Sequence, residues 1–284
     1  MKNIRTLLWS SRPVSWINTA FPFVAGYLFI AGTEVSVYFW VAAFYFLIPY
    51  NILIYVVNDV YDYESDMLNP RKGGVEGAIL DKKFHSYMLR ATAIVNIPLV
   101  AYLLTQGGLM ANIVLALCVI NAAAYSIPVL RFKERPVVDS VSSSLHFVGP
   151  LLYVATFLGW QTSVIPFAIA FFFWGMASHA FGAVQDIIPD RKAKINSIAT
   201  FFGAQATVRL SLTLYCLAVA LVATQGWPAV IVAAVGLAYP AIVSPYINLT
   251  DRQSGRSNNG WKHFMKINQL VGFCVTILLI LHLT

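Results

Sequence analysis

Charge is scarce in this chain of 284 residues: 11% are Asp, Glu, Lys or Arg, while 58% are hydrophobic. That balance excludes an ordinary soluble domain, where about a quarter of residues carry charge. Cysteine is also rare. Cys118, Cys216 and Cys274 each stand alone inside an apolar run, which excludes a disulfide framework or a thiolate metal site and leaves them as small packing residues. The intervals between apolar runs are short, so no separate soluble domain fits. The cationic start leads straight into Pro13 and a full-length apolar run without a small-residue cleavage site, so no cleavable signal peptide is expected.

What the chain does have is a succession of apolar runs of about 18 to 22 residues, each long enough to cross a bilayer as a helix. Nine are counted, at roughly 14–32, 37–58, 86–105, 109–128, 138–159, 163–185, 205–223, 228–247 and 267–283. The fold expected is all-α: a polytopic membrane protein of nine transmembrane helices forming one domain over residues 1–284. The net charge of +7 could suggest nucleic acid, but its distribution does not. With nine spans, every Lys and Arg falls on the side of the N-terminus, and Glu34 is the only charge on the other side. The positive-inside rule places that basic side in the cytoplasm. A multi-pass protein of the cell membrane follows, in contact with the lipid bilayer, with its N-terminus inside and its C-terminus outside.

Acidic residues number only twelve, and Asn58-Asp59-Val60-Tyr61-Asp62-Tyr63-Glu64-Ser65-Asp66 holds four carboxylates and an amide. At about 100° per residue, Asn58, Asp59, Asp62 and Asp66 share one narrow helix face and Glu64 points away. A second acidic helix end, Gln185-Asp186-Ile187-Ile188-Pro189-Asp190, follows the sixth run and stacks Asp186 and Asp190 four residues apart. Pro189 is expected to kink that helix. Ser10-Ser11-Arg12-Pro13 before the first span and Glu134-Arg135-Pro136 before the fifth lie at nearly the offset that separates the acidic ends. Spans 1–4 and 5–8 therefore read as two versions of a four-helix unit, followed by a last helix.

A carboxylate at mid-bilayer costs roughly 2.5–3.5 kcal/mol even on permissive scales. Five are tolerable at a wet rim or when neutralised, and hard divalent cations such as Mg²⁺ neutralise carboxylates while bridging them to phosphate oxygens. The bland alternative, interfacial caps paired with nearby Lys and Arg, suits one acid better than two same-face clusters. Bases stand beside both: Arg71 and Lys72 after the first, in the turn Asn69-Pro70-Arg71-Lys72-Gly73-Gly74, and Arg191, Lys192 and Lys194 after the second. With two Mg²⁺ added, the site becomes positive and suits a polyanion such as diphosphate. Tyr125-Ser126 and Arg131-Phe132-Lys133 supply further donors at the same depth, and Asp139, Ser140, Ser142, Ser143, Ser144 and His146 make the start of the fifth span unusually polar.

Asn58-Asp59-x-x-Asp62-x-x-x-Asp66 and Asp186-x-x-x-Asp190 resemble the two aspartate-rich motifs of the UbiA family of intramembrane prenyltransferases. Arg12 and Tyr125-Ser126 with the bases after it also resemble that family, and the likeness covers essentially the whole chain. Within the family, Ser10 to Asn18, Asn58 to Gly77 and Leu130 to Pro136 look like the lycopene elongases of bacterial fifty-carbon carotenoid synthesis. The resemblance implies helices around a lipid-accessible central chamber, with two Mg²⁺ and a prenyl diphosphate at its cytoplasmic end. It implies one metal site at Asn58, Asp62 and Asp66, with Asp59 close by, and another at Asp186 and Asp190. Asp62, Asp66, Asp186 and Asp190 would be the catalytic acids, and Arg12, Arg71, Lys72, Tyr125, Arg131, Lys133, Lys192 and Lys194 would face the diphosphate. Two departures stand out. Many members carry a Gly or a third acid where this chain has Lys194, and an Arg-rich run after the first motif is replaced by Asn69 to Gly77.

The function expected from this resemblance is Mg²⁺-dependent transfer of a dimethylallyl group from its diphosphate to the ends of lycopene or a similar polyene. Asp139 and the released diphosphate are the candidate bases for the final proton, and members of this branch work alone or with a carotenoid cyclase partner. The alternatives are UbiA-type transfer to an aromatic or quinone precursor and, from another class, a secondary transporter, which would also set acids on repeated helices.

Overall fold

The computed structural model describes residues 2–67 and 80–283; Arg71, Lys72 and the turn around them lie outside the described residues. The chain is helical, with no strand among the described residues. Seven segments are long and apolar enough to cross a membrane. Leu109–Ala124 is apolar but shorter, and Val138–Phe157 has the length but carries the polar residues noted above.

Contacts divide the chain into two units, residues 1–132 with 146–160 and residues 133–145 with 161–284. The first contains α1 (Lys2–Ser10), α2 (Trp16–Ala31), α3 (Val37–Leu47), α4 (Pro49–Tyr61), α5 (Tyr63–Asp66), α6 (His85–Gln106) and α7 (Leu109–Ala124). The helix α8 (Val138–Phe157) contributes its start to the second unit and its remainder to the first. The second unit continues with α9 (Ile165–Val184), α10 (Ile187–Lys192), α11 (Ile198–Ala223), α12 (Ala229–Gly236), α13 (Ala238–Val243) and α14 (Asn258–Leu283).

In the first unit the core is aromatic: Phe23, Tyr27, Tyr38, Phe39, Tyr45, Phe46, Tyr50 and Tyr153 are buried together. The second apolar run is one span built from two helices, because Pro49 opens α4 and has no N–H to continue α3. Carbonyls freed by such a break need partners where no water reaches. The Asn51 amide supplies them, donating to Phe46 O at 3.1 Å and Leu47 O at 3.0 Å, and to Thr19 Oγ1 at 2.6 Å. Asn96 on α6 donates to Pro49 O at 3.0 Å. These bonds tie α2, α4 and α6 together and fix α4, which carries the first acidic motif at its end.

The second unit packs closely through small residues. Ala168, Ala170, Gly175, Ala177, Ser178 and Ala180 line the buried face of α9, the composition that lets helix backbones approach in lipid. At Gly175 a Cβ would collide with Ser144. A second aromatic cluster, including Phe181, Tyr215, Tyr239 and Phe264, joins α9, α11, α13 and α14.

Most spans expected from the sequence match helices to within a few residues. Two do not. Helix α14 begins at Asn258, nine residues before the apolar run, so Lys262 and Lys266 lie on its first turns instead of in a loop. Helix α11 begins at Ile198 and breaks at Gly203 (φ 79°, ψ 167°), so its second part matches the apolar run. Before the break the helix is led by a polar capping box, Ser197 with Thr200, which hydropathy does not register.

Candidate active site

Each acidic motif sits where a long helix breaks and a short one follows. In the first unit α4 ends at Asp62 (φ −98°, ψ 0°), yet the helical bonds carry through the break. The Asp62 N–H donates to Asn58 O at 2.9 Å and the Asp66 N–H to Asp62 O at 2.8 Å. Asn58, Asp62 and Asp66 therefore keep the common face read from their spacing. In the second unit α9 ends at Val184 and Asp186 (φ −95°, ψ −1°) precedes α10. The Asp190 N–H donates to Asp186 O, again at 2.8 Å. Asp62 and Asp186 thus share one backbone conformation, 124 residues apart, which supports the repeat argued from sequence.

Pro189 does not kink this helix as expected. The break precedes it at Gln185–Asp186, and Pro189 occupies the first turn of α10, where its missing N–H would have no helical partner anyway. After α10, Ile195 N–H bonds Asp190 O at 2.9 Å and Lys194 N–H bonds Arg191 O at 3.3 Å. This is a Schellman termination with Lys194 in the left-handed position, φ 58°. Glycine takes that conformation without a Cβ penalty, which accounts physically for glycine being common there in the family that the motif resembles.

In the first unit the residues converge tightly. Asp59, Asp62 and Asp66 are all buried. The Arg12 guanidinium donates to Asp59 Oδ1 at 3.1 Å and Asn58 Oδ1 at 3.4 Å, and lies 4.4 Å over the Tyr55 ring. Burial opposes the Arg12 charge, but Asp59 chiefly, with Tyr55 and Asp66, holds its pKa above the ordinary arginine value. Asn58 Nδ2 donates to Asp62 Oδ2 at 2.5 Å and to Ser126 Oγ at 3.0 Å. Asn58 thus relays Arg12 to Asp62, with its oxygen turned to the cation and its nitrogen to the acid. Arg12 was expected at a diphosphate; the structure sets it on Asp59. Tyr125 packs edge-on against the His146 ring at 5.2 Å, and Arg131, half-buried, takes φ 45°. Arg12, Arg131 and Lys194, three of the four non-glycine residues with positive φ among the described residues, are bases predicted from sequence.

In the second unit Asp186 and Asp190 are partly exposed, Lys192 and Lys194 exposed, and Lys133 half-buried in a short turn, Phe132–Glu134. Asp139 is fully buried, with Oδ2 accepting from Ile198 N–H at 2.6 Å and Oδ1 from Ser140 N–H at 2.7 Å. Both oxygens are engaged, one of them capping the start of α11. His179 Nδ1 lies 3.0 Å from Ser140 Oγ.

The donor chemistry fits a hard cation. Among the described residues no group of three His, Cys, Asp or Glu side chains could hold a metal ion, and each motif offers a pair of carboxylates. Mg²⁺ is characteristically held by one or two carboxylates, with water and substrate phosphates completing its octahedron. The sequence reading missed Asp251, which binds Arg191 beside the second motif at 2.7 Å. An isolated Gly203 inside an apolar helix and the Thr250-x-x-Gln253 box were the available signals.

Helices long and apolar enough to cross a membrane several times, with two repeated acid pairs at helix breaks, define a multi-pass membrane protein with two matching candidate sites for a hard cation. The UbiA prenyltransferase family matches residues 19–270, so the chain belongs to that family and is a prenyltransferase. It is 49% identical over 282 residues to a lycopene elongase/hydratase from Corynebacterium glutamicum, covering 99% of this chain and 98% of that one. It is 45% identical to a C(50) beta-cyclic carotenoids biosynthesis protein, LbtBC, from a Dietzia species, covering 96% of this chain and 64% of that one. Its fold is similar to that of a UbiA homolog from Archaeoglobus fulgidus solved with DMAPP and Mg²⁺ (TM-score 0.66, 19% identity, 95% and 98% covered). A digeranylgeranylglyceryl phosphate synthase gives TM-score 0.68 at 15% identity, with 98% and 99% covered. Family membership sets the transporter alternative aside.

Proposed function

We propose that this prenyltransferase moves a dimethylallyl group from its diphosphate to the ends of lycopene or a closely similar polyene. The observation that carries this reading is the 49% identity, over nearly the full length of both chains, with a lycopene elongase/hydratase. Asp62 and Asp66, with Asn58 orienting Asp62 and Asp59 close by, are assigned to one Mg²⁺, and Asp186 and Asp190 to a second. The chemistry such ions supply when bound is neutralisation of charge on a departing diphosphate. Arg71, Lys72, Tyr125, Arg131, Lys133, Lys192 and Lys194 are assigned to the diphosphate oxygens, and Arg12 to holding Asp59 and Asn58 in place.

The allylic C–O bond breaks with its electron pair going to the diphosphate, and the terminal alkene of the acceptor attacks the allylic cation. The tertiary cation so formed loses a proton or takes up water. Low water content protects the allylic cation until then. The engaged oxygens of Asp139 favour released diphosphate as the proton acceptor. We assign residues 1–284 to a single catalytic domain of nine spans, acting in the cell membrane with its N-terminus and active site cytoplasmic and its C-terminus outside. Assay of membranes with Mg²⁺, lycopene and dimethylallyl diphosphate tests the reading. Elongated carotenoid is expected; prenylation of a quinone precursor with lycopene left untouched would sink it.

A further inference from the structure

The break in α11 is held open by an ion pair. In an unbroken helix the Ala204 N–H would donate to Thr200 O, and the conformation of Gly203 severs that bond. Asp251 Oδ1 accepts from the Ala204 N–H at 2.7 Å, and the Arg191 guanidinium donates to Thr200 O at 3.1 Å. Arg191 and Asp251 then bind each other at 2.7 Å. The pair is thus spliced into the gap, satisfying the two backbone groups that the break separates. A larger residue at Gly203 would crowd the pair: a Cβ there would stand 3.0 Å from Asp251 Oδ1, at a φ of 79° that already disfavours one.

Arg191 directly follows Asp190 on α10, a helix of six residues. On the other side of the acid pair, Gln185 is bonded by Asn258 Nδ2 at 2.5 Å. Asp251 and Asn258 bound a single short segment, the 3₁₀ turn Asp251–Ser257 and the first residue of α14. The residues just before Asp186 and just after Asp190 are therefore both fastened to that segment. An ion pair as exposed as this one, with side chains 47% and 37% accessible, contributes little to stability. What it contributes is geometry.

We propose that Asp251, acting through Arg191, is a positioning residue that holds Asp186 and Asp190 in the geometry that captures a divalent cation. This rests on the assignment of those two acids to a metal. Residues that orient ligands from outside typically change metal affinity by about ten- to a hundredfold when lost.

The test uses full-length protein in detergent, with Mn²⁺ as the probe, its binding read from the electron paramagnetic resonance signal of the free ion, alongside diphosphate release against Mg²⁺ concentration. Asp251→Ala and Arg191→Ala are each expected to weaken one Mn²⁺ about tenfold or more and to raise the Mg²⁺ needed for half-maximal release by a similar factor. The double variant should be no worse than either single one, because the two side chains act as one unit. Asp251→Asn, which keeps an acceptor for Ala204, and Arg191→Lys, which keeps the charge, should fall between these and wild type. They serve if the alanine variants do not fold. Wild-type Mn²⁺ binding and Mg²⁺ dependence in these variants, with only the melting temperature lowered, overturns the proposal. Failure of the underlying assignment looks different: Asp186→Ala and Asp190→Ala would then retain wild-type Mn²⁺ binding.

Discussion

Replacement of Arg12 by alanine separates two roles that the same residue could play. The guanidinium binds Asp59 at 3.1 Å with 20% of its side chain accessible, against 0% for the carboxylate. Removing one member of a buried pair costs about 3–5 kcal/mol. Because Arg12 keeps some contact with solvent, the lower end applies, and loss of its place over Tyr55 adds about 0.5–1 kcal/mol. A loss of about 3–4 kcal/mol corresponds to a fall in melting temperature of roughly 6–15 °C for a chain of this size. Asp59→Asn in the same chain removes the charge that needs a cation. If Arg12 works by holding Asp59, the double variant Arg12→Ala/Asp59→Asn recovers most of that stability and much of the diphosphate release. Thermal unfolding in detergent and a diphosphate-release assay read both quantities. A single variant that melts within about 2 °C of wild type, together with a double variant that stays inactive, refutes the reasoning and returns Arg12 to the diphosphate.

Asp62→Ala or Asp66→Ala should abolish diphosphate release while the protein stays folded in membranes, and full activity would refute their assignment. Lys194→Gly should raise stability by about 1 kcal/mol, because glycine takes the left-handed position without a Cβ penalty; if the ammonium meets the substrate, KM for the allylic diphosphate rises in the same variant. Asn51→Leu strips the bonds to Thr19 Oγ1, Phe46 O and Leu47 O and should cost about 2–3 kcal/mol, seen as a lower melting temperature. Treatment with a chelator should halt diphosphate release and added Mg²⁺ restore it; turnover undiminished by the chelator contradicts the metal assignment.

Much of the site was legible because its signals are local. A helix with acids at positions 58, 62 and 66 puts them on one face whatever surrounds it, and the bonds from Asp66 to Asp62 and from Asp62 to Asn58 keep that face through the break. The matching backbone at Asp186 is the same local statement made again. Arg12 was read as a site residue from the family resemblance, but not as a partner of Asp59, because the chain turns at Arg12 itself through a left-handed conformation that no periodicity signals. Asp251 was missed for another reason, the distance in sequence between it and the groups it bonds. Its partners are 47 and 60 residues away in the chain, and hydropathy sees only one acid in a basic loop.

The sequence by itself determined the membrane class, the helical fold, most span boundaries and the two acidic motifs, since bilayer thickness and helical period act on contiguous residues. Only the tertiary structure decided where helices break inside a span and which side chain repairs each break: Asn51 below Pro49, and Arg191 with Asp251 at Gly203. A backbone group left open in lipid must find a partner, and that partner comes from whichever helix lies beside it, however distant in sequence.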